Sequence, residues 1–422
     1  MRIVLELYGS CQLPASSYHS LRIPKPGPGS WKLVAHLSTV TITHRGEERV
    51  RGGHPWVYRT DVASVEASGG DVVLVRGSRG RAIGYALYSD RSEIAIRMLS
   101  GADVAPGRDF WRQRIEAAIR YRDALGIDAT AYRLVHGEAD GLPSLIVDRY
   151  AEYLVVQTLS QAMDRRLAEI TGLLAELTTP AGILARNDPR VRLLEGLEQR
   201  VDALHGTVPE RVMVREGRVT YEVDPWRGQK TGLFLDQREN REAATRYARG
   251  RLFDGFSYNG GFALALAPRC DSVLAVDISE DAVARIRANA ARNALTNVEA
   301  RTMNVFDELR ELERTRARFD TIVLDPPAFA KNKASVRKAL SGYKEINLRA
   351  LKLLEPGGFL ITCSCSYNVG EAAFVDVVSS AASDAHATVT MVEKRTQGRD
   401  HPILINVPET YYLKCLVLRK LD

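Results

Sequence analysis

The stretch RLFDGFSYNGG (251–261) joins a short apolar run to a turn of small residues, Asp254-Gly255-Phe256-Ser257-Tyr258-Asn259-Gly260-Gly261, which leads into helical sequence. A strand, a tight turn and a helix in that order form the first part of a βαβ unit. The pattern recurs in SVLAVDIS (272–279), VEARTMNVF (298–306), FDTIVLDPP (319–327) and GGFLITCSCS (357–366), with helical stretches such as SEDAVARIRANAARNAL (279–295) and VRKALSGYKEINLRALKLL (336–354) between them. Five short strands alternating with helices predict an α/β fold with a doubly wound, Rossmann-like parallel sheet covered on both faces. Residues 216–422 form this unit.

Working outward, residues 106–215 read as a mixed α+β central domain. In DFWRQRIEAAIRYRDALG (109–126), Trp111, Ile115, Ala118, Ile119 and Leu125 share one helical face; Asp109 is expected to cap the helix and Gly126 to end it. Strands follow in YRLVHGEADGLPSLIVDRYAEYLVVQTLS (132–160), broken by turn chemistry at 139–143, and then a helix in QAMDRRLAEITGLLAEL (161–177). Residues 38–105 read as a small β-rich domain, with a hairpin in DVVLVRGSRGRAIGYALYS (71–89). Alternating Pro and Gly in LRIPKPGPGSW (21–31) block helix and sheet, so 1–37 is expected to be a poorly ordered extension.

Composition narrows the functional class. Lys and Arg total 58 against 52 for Asp and Glu, a net +6 with pI ≈ 9.0, a mild bias toward polyanionic partners. Five cysteines, at 11, 270, 363, 365 and 415, form neither a disulfide framework nor a zinc spacing. A reduced, cytoplasmic protein with no metal is expected. The N-terminus lacks a signal-peptide pattern, and no stretch reaches the roughly 18 apolar residues of a membrane span.

The chemistry gathers at the strand ends, where doubly wound sheets bind ligands. The turn after the first strand is not the Gly-x-Gly-x-x-Gly of a pyrophosphate site. The second strand ends at Asp277, 23 residues beyond Asp254, where a carboxylate can accept both ribose hydroxyls. Either turn alone suits any α/β fold. Together they suggest a nucleoside without pyrophosphate, the adenosyl group of S-adenosylmethionine, held by Asp254, Phe256, Asn259, Gly260 and Asp277, with Asn304 or Asp307 near the adenine.

The fourth strand ends in Asp325-Pro326-Pro327-Ala328-Phe329, where two prolines stiffen the backbone and present Asp325 to a flat polar substrate, so Asp325 serves cofactor and substrate alike. This turn is typical of base methyltransferases and does not fix the atom methylated. After the fifth strand, Cys363 and Cys365 stand two apart, facing the same way in extended backbone. Carbon methylation of cytosine needs a thiolate at C6, because C5 is a poor nucleophile until the ring becomes an enamine. Methylation at nitrogen needs none.

At these residues the chain resembles the bacterial 23S rRNA cytosine-5 methyltransferases that carry an N-terminal PUA domain. The likeness runs through GHPWVYRTDV (53–62), GEADGLPSLIVDRY (137–150), KTGLFLDQREN (230–240), DGFSYNGGFALALA (254–267), VDISEDAV (276–283), LDPPAFAKNK (324–333), TCSCS (362–366) and HPILINVPETYYLK (401–414). It implies a PUA domain at 38–105, a central domain that helps cradle RNA, a methyltransferase domain, and S-adenosylmethionine as donor. Related enzymes use one cysteine in a Pro-Cys after the fourth strand and a second after the fifth; here Ala328 replaces the first. Counted from Gly357-Gly358, the nucleophile falls on Cys365, whereas the literal Thr-Cys-Ser string falls on Cys363; strand geometry favours Cys365, with Cys363 then a neighbour lining the pocket. Lys331 or Lys333 would supply positive charge or bind phosphate, and Tyr258, Phe329 and Tyr367 would stack on a flipped base. The partner expected is 23S rRNA, with a homodimer left open. The alternatives are a base-nitrogen RNA methyltransferase, with both thiols structural, and a non-catalytic RNA-binding assembly factor.

Overall fold

A computed structural model describes residues 38–330 and 333–422; the extension expected at 1–37 and Lys331 lie outside the described residues, as does the side chain of Lys333. The first domain is a 6-stranded sheet running from Thr39–Ile42 to Ile94–Gly101. Its hairpin is the expected one, Val72–Arg76 antiparallel to Ala82–Tyr88. Val40, Ile42, Val73, Val75 and Ile96 fill its core.

The central domain is a 5-stranded sheet, from Ala131–His136 at one edge to Arg200–Gly206 at the other. Helices Arg108–Ala124 and Leu167–Thr178 cover it, burying Trp111, Ile115, Ile170, Leu173 and Leu174 against Leu134, Val147 and Val156. The expected face of the first helix is the buried one, but Asp109 is not its cap. Gly107 occupies that position with no side-chain bond, and Asp109 lies in the first turn, where its charge suits the helix dipole. The turn at 137–141 closes on Gly141, whose φ of +67° favours glycine.

A hairpin, Val212–Glu216 with Val219–Val223, leads into the C-terminal sheet and packs Tyr221 and Val223 with Tyr150, Leu184 and Leu264. That sheet is 7-stranded: β1 (Arg251–Gly255), β2 (Ser272–Asp277), β3 (Val298–Thr302), β4 (Phe319–Leu324), β5 (Leu354–Ser364), β6 (Val389–Arg395) and β7 (Lys414–Lys420). Its order is β3-β2-β1-β4-β5-β7-β6, with β1 to β5 parallel and β7 antiparallel to both β5 and β6. The sequence reading found the five parallel strands and missed the last two. β6 is an edge strand with most of its residues exposed, so it carries no apolar face to read. From β1 the chain moves outward to β3, then crosses back to β4. The parting of connections between β1 and β4 opens a crevice at their carboxyl ends.

The segment between β6 and β7 ties this sheet to the central domain. Asp400 accepts from the Arg133 backbone N–H and from Arg238, while Arg122 donates to the Asp400 carbonyl. Central-domain residues thereby form one wall of the crevice. Among the described residues, no helix is long and apolar enough to cross a membrane.

Candidate active site

A cavity of about 900 Å³ lies over the carboxyl ends of β1, β2 and β4. Its walls include Asp254, Phe256, Tyr258, Asn259, Asp277, Asn304, Asp325, Phe329 and Cys365. Most of the residues singled out from sequence meet here. Among the described residues, those that do not are Asp307, Cys363 and Tyr367, while Gly260 supports the wall from within the turn.

The turn after β1 is shaped by backbone that few residues adopt: Phe256, Tyr258 and Gly260 have φ of +66°, +51° and +90°. A Cβ on Gly260 would meet Leu264 at 2.9 Å, so glycine lets the next helix start close by. Asp254, 1% exposed, anchors this turn: its Oδ2 accepts from Ser257 Oγ at 2.5 Å and from the Ala263 N–H at 2.9 Å. Its Oδ1 has no partner among the described residues. Burial pushes the carboxyl up to about 7, against the pull of those two bonds and helped by Asp325 and Asp277. A buried carboxyl with one unmet oxygen fits a cationic ligand group such as an amino acid ammonium.

Asp277 accepts from the backbone N–H of Tyr258 at 2.8 Å and of Ser279 at 2.9 Å, one on each oxygen. Each oxygen keeps a lone pair for a ribose hydroxyl. Beside it, Ile278 is 69% exposed on the cavity wall, which Val305 and Phe306 also line. An exposed isoleucine beside two further apolar residues suits the faces of a flat ring. Asn304 caps the helix at Val305–Arg314 by accepting from the Phe306 N–H. Asp307 points outward from that helix and pairs with Arg310, so of the two residues expected near the adenine only Asn304 reaches the cavity.

On the other side, Asp325 Oδ1 accepts from Gln237 Nε2 at 2.8 Å. Burial pushes this carboxyl up to about 6; Asp236 adds to the rise, and Gln237, Lys230 and Arg241 oppose it. Phe329 packs against Tyr343, the rings tilted and their centroids 4.7 Å apart, and joins Phe256 and Phe306 as an apolar wall. Tyr258 turns its ring toward Phe234 and accepts the Gln229 N–H on its hydroxyl. Tyr367 lies off the cavity, where Glu409 and Tyr58 of the first domain are its charged and titratable neighbours.

The two thiols part company. β5 ends at Ser364, so Cys363 is the last cysteine within β5, fully buried opposite Cys415 on β7. Cys365 stands one step beyond the strand, on the cavity wall, its Sγ 3.7 Å from the Pro326 carbonyl oxygen. Burial pushes the Cys365 thiol up to about 12; Asp325 and Asp236 add to the rise, while Lys230 and Lys414 pull it down.

Sequence reasoning assigned no role to Lys230, Asp236, Gln237, Tyr412 or Lys414. Asp236 accepts from Lys230 Nζ at 2.6 Å and from the Tyr412 hydroxyl at 2.8 Å. Lys414 is buried with its ammonium on the carbonyls of Ser366 and Tyr412, and burial lowers it to about 8. For Lys230, Asp236 and Gln237 the available signal was the polar density of KTGLFLDQREN, a run too charged for a core segment.

Residues 40–101 match the family of PUA-like domains, and residues 132–419 match the S-adenosylmethionine-dependent methyltransferase family. The chain is 39% identical over 378 residues to the ribosomal RNA large subunit methyltransferase I of Aeromonas salmonicida, covering 87% of this chain and 95% of that one. Its counterpart in Vibrio cholerae is 37% identical over 88% of this chain and 97% of its own length. The crystal structure of SMU.776 complexed with SAH shares the fold, with a TM-score of 0.79 at 21% identity over 90% of this chain and 99% of that one.

Proposed function

The chain belongs to the S-adenosylmethionine-dependent methyltransferases with a PUA-like domain, the family of the ribosomal RNA large subunit methyltransferases I, and from that premise we propose that it forms 5-methylcytidine in large-subunit rRNA. The observation that carries this reading is the Cys365 thiol on the cavity wall, beside the rigid Asp325-Pro326 turn.

The donor supplies an electrophilic methyl group. Asp254 would take its ammonium and Asp277 its ribose hydroxyls, while Asn304, Ile278 and Phe306 would border the adenine. Phe256, Asn259 and Gly260 shape the turn that lets backbone approach it. Asp325 would hydrogen-bond N3 and the exocyclic amine of a flipped cytosine, with Phe329 at the edge of its ring. Cys365 adds to C6, and C5 becomes nucleophilic and takes the methyl group. Loss of the C5 proton then lets the thiol leave. Cys363 lines the protein beneath this site and does not attack. Lys230 and Lys414 supply the positive charge that favours a thiolate, the part given to Lys331 or Lys333 in the sequence reading.

The first two domains would grip RNA structure while the cavity takes one nucleotide, and we place the protein in the cytoplasm with its substrate. Incubation of unmodified 23S rRNA with the enzyme and labelled S-adenosylmethionine, followed by nucleoside mass spectrometry, tests the reading. Label is expected in 5-methylcytidine; label in a purine would assign Asp325 to nitrogen methylation and make both thiols structural.

A further inference from the structure

Leading away from the cavity wall at Asp325, four side chains form a line whose direction is fixed at one end. Arg395 Nε donates to Asn240 Oδ1 at 2.9 Å, Asn240 Nδ2 to Gln237 Oε1 at 2.6 Å, and Gln237 Nε2 to Asp325 Oδ1 at 2.8 Å. A guanidinium has no acceptor, so only the carbonyl of Asn240 can meet Arg395. The Asn240 amine is then left for Gln237, whose carbonyl accepts it and whose own amine is turned to Asp325. Asn240 and Gln237 are 1% and 2% exposed, so neither amide can flip without setting like groups against each other away from water.

We propose that Arg395, Asn240 and Gln237 are positioning residues that reserve Oδ1 of Asp325 as an acceptor and confine any proton on that carboxyl to Oδ2, the oxygen left for the target base. The proposal rests on the cytosine-5 reading and adds the path of the N3 proton. As the Cys365 thiolate bonds C6, the C5=C6 pair moves between C4 and C5 and the C4=N3 pair moves onto N3, which takes the proton from Oδ2. After C5 takes the methyl group its proton passes to solvent water, N3 returns its proton to Oδ2, C4=N3 and C5=C6 reform, and the C6–S pair leaves on Cys365 as the thiolate. The charged and titratable groups facing Asp325 are Asp236, Lys230, Arg241, Asp254, Cys363 and Cys365. Burial, with Asp236, sets its carboxyl at about 6, within range for proton exchange near neutral pH.

The test is the pH profile of methyl transfer, with the product nucleoside identified in the same assay. Asn240→Asp keeps the shape and the Arg395 partner but offers Gln237 only acceptors. Gln237 would turn, its carbonyl would face Asp325, and the proton would move to Oδ1. The limb governed by Asp325 should move to higher pH by about one pH unit, with kcat down about tenfold and donor affinity unchanged. Arg395→Lys, still only a donor, should leave the limb in place. Gln237→Glu, which also removes the amine, should move the limb as Asn240→Asp does and serves if that variant does not fold. A loss of rate that is uniform across pH would show a merely structural role and overturn the proposal while leaving 5-methylcytidine as the product. A product other than 5-methylcytidine would overturn both.

Discussion

On the side of the cavity assigned to the donor, contacts span short stretches of chain: Ser257 to Asp254 is 3 residues, Ala263 to Asp254 is 9 and Tyr258 to Asp277 is 19. On the side assigned to the substrate, Gln237 to Asp325 spans 88 residues, Cys365 to Pro326 spans 39 and Lys414 to Ser366 spans 48. The donor half is a set of turns that follow their own strands. The substrate half exists only after the central domain, the segment before β1 and the segment before β7 have closed over the sheet. Recognition of a small common ligand can be local, whereas a site for one base in a large RNA draws on parts that only the complete fold brings together.

The strongest way to break this comparison is Cys365→Ala. It should reduce methyl transfer by at least about 10³-fold while donor binding, measured by calorimetry, stays near wild type. Loss of donor binding in that variant would mean that the halves are not separable. Cys363→Ala should instead retain the chemistry and lower stability by about 1 kcal/mol, since it removes a buried sulfur within the sheet.

On the donor half, Asp254→Asn keeps the shape and removes the charge. Donor affinity should fall roughly 10- to 100-fold, the range for losing a hydrogen bond to a charged partner. An unchanged dissociation constant would remove Asp254 from the ammonium site. The smaller test on the substrate half is Lys414→Met. Lys414 pulls down the Cys365 thiol, so its loss raises the thiol further and leaves less thiolate at a given pH. Alkylation of Cys365 at pH 8 should slow several-fold, because the thiolate fraction falls about tenfold for every pH unit by which the thiol rises. Faster alkylation would show that Lys414 restrains access instead of stabilising charge. The smallest effect is expected from Asp307→Ala, which removes an exposed pair with Arg310 and should leave donor affinity within about 0.5 kcal/mol of wild type.

The same contrast explains what could be read from the sequence. Asp254, Asp277 and Asp325 were legible because each ends an apolar run, and strand ends in a doubly wound sheet face one way. Asn304 and Asp307 could not be separated by spacing alone. The structure separates them because Asn304 caps a helix at the cavity while Asp307 lies on its outer face. Cys363 and Cys365 share a facing in extended backbone, but the strand stops between them, and a strand end is a property of the whole sheet. Gln237 and Asn240 stand in the polar run KTGLFLDQREN, but nothing local gave their order or their link to Arg395, which is set by hydrogen bonds between segments that meet only in the fold. β6 escaped notice for a different reason, having almost no buried face to impose a pattern.

The central claim is that Cys365, and not Cys363, bonds the target base. It is tested most directly by trapping. Unmodified 23S rRNA containing 5-fluorocytidine cannot lose a proton from C5, so incubation with enzyme and S-adenosylmethionine should leave the covalent adduct intact. Digestion and mass spectrometry should then find the nucleotide on the peptide containing 363–366, with fragment ions placing it on Cys365, and Cys365→Ala should give no adduct. An adduct on Cys363, or none with an enzyme that methylates unfluorinated rRNA, would contradict the account.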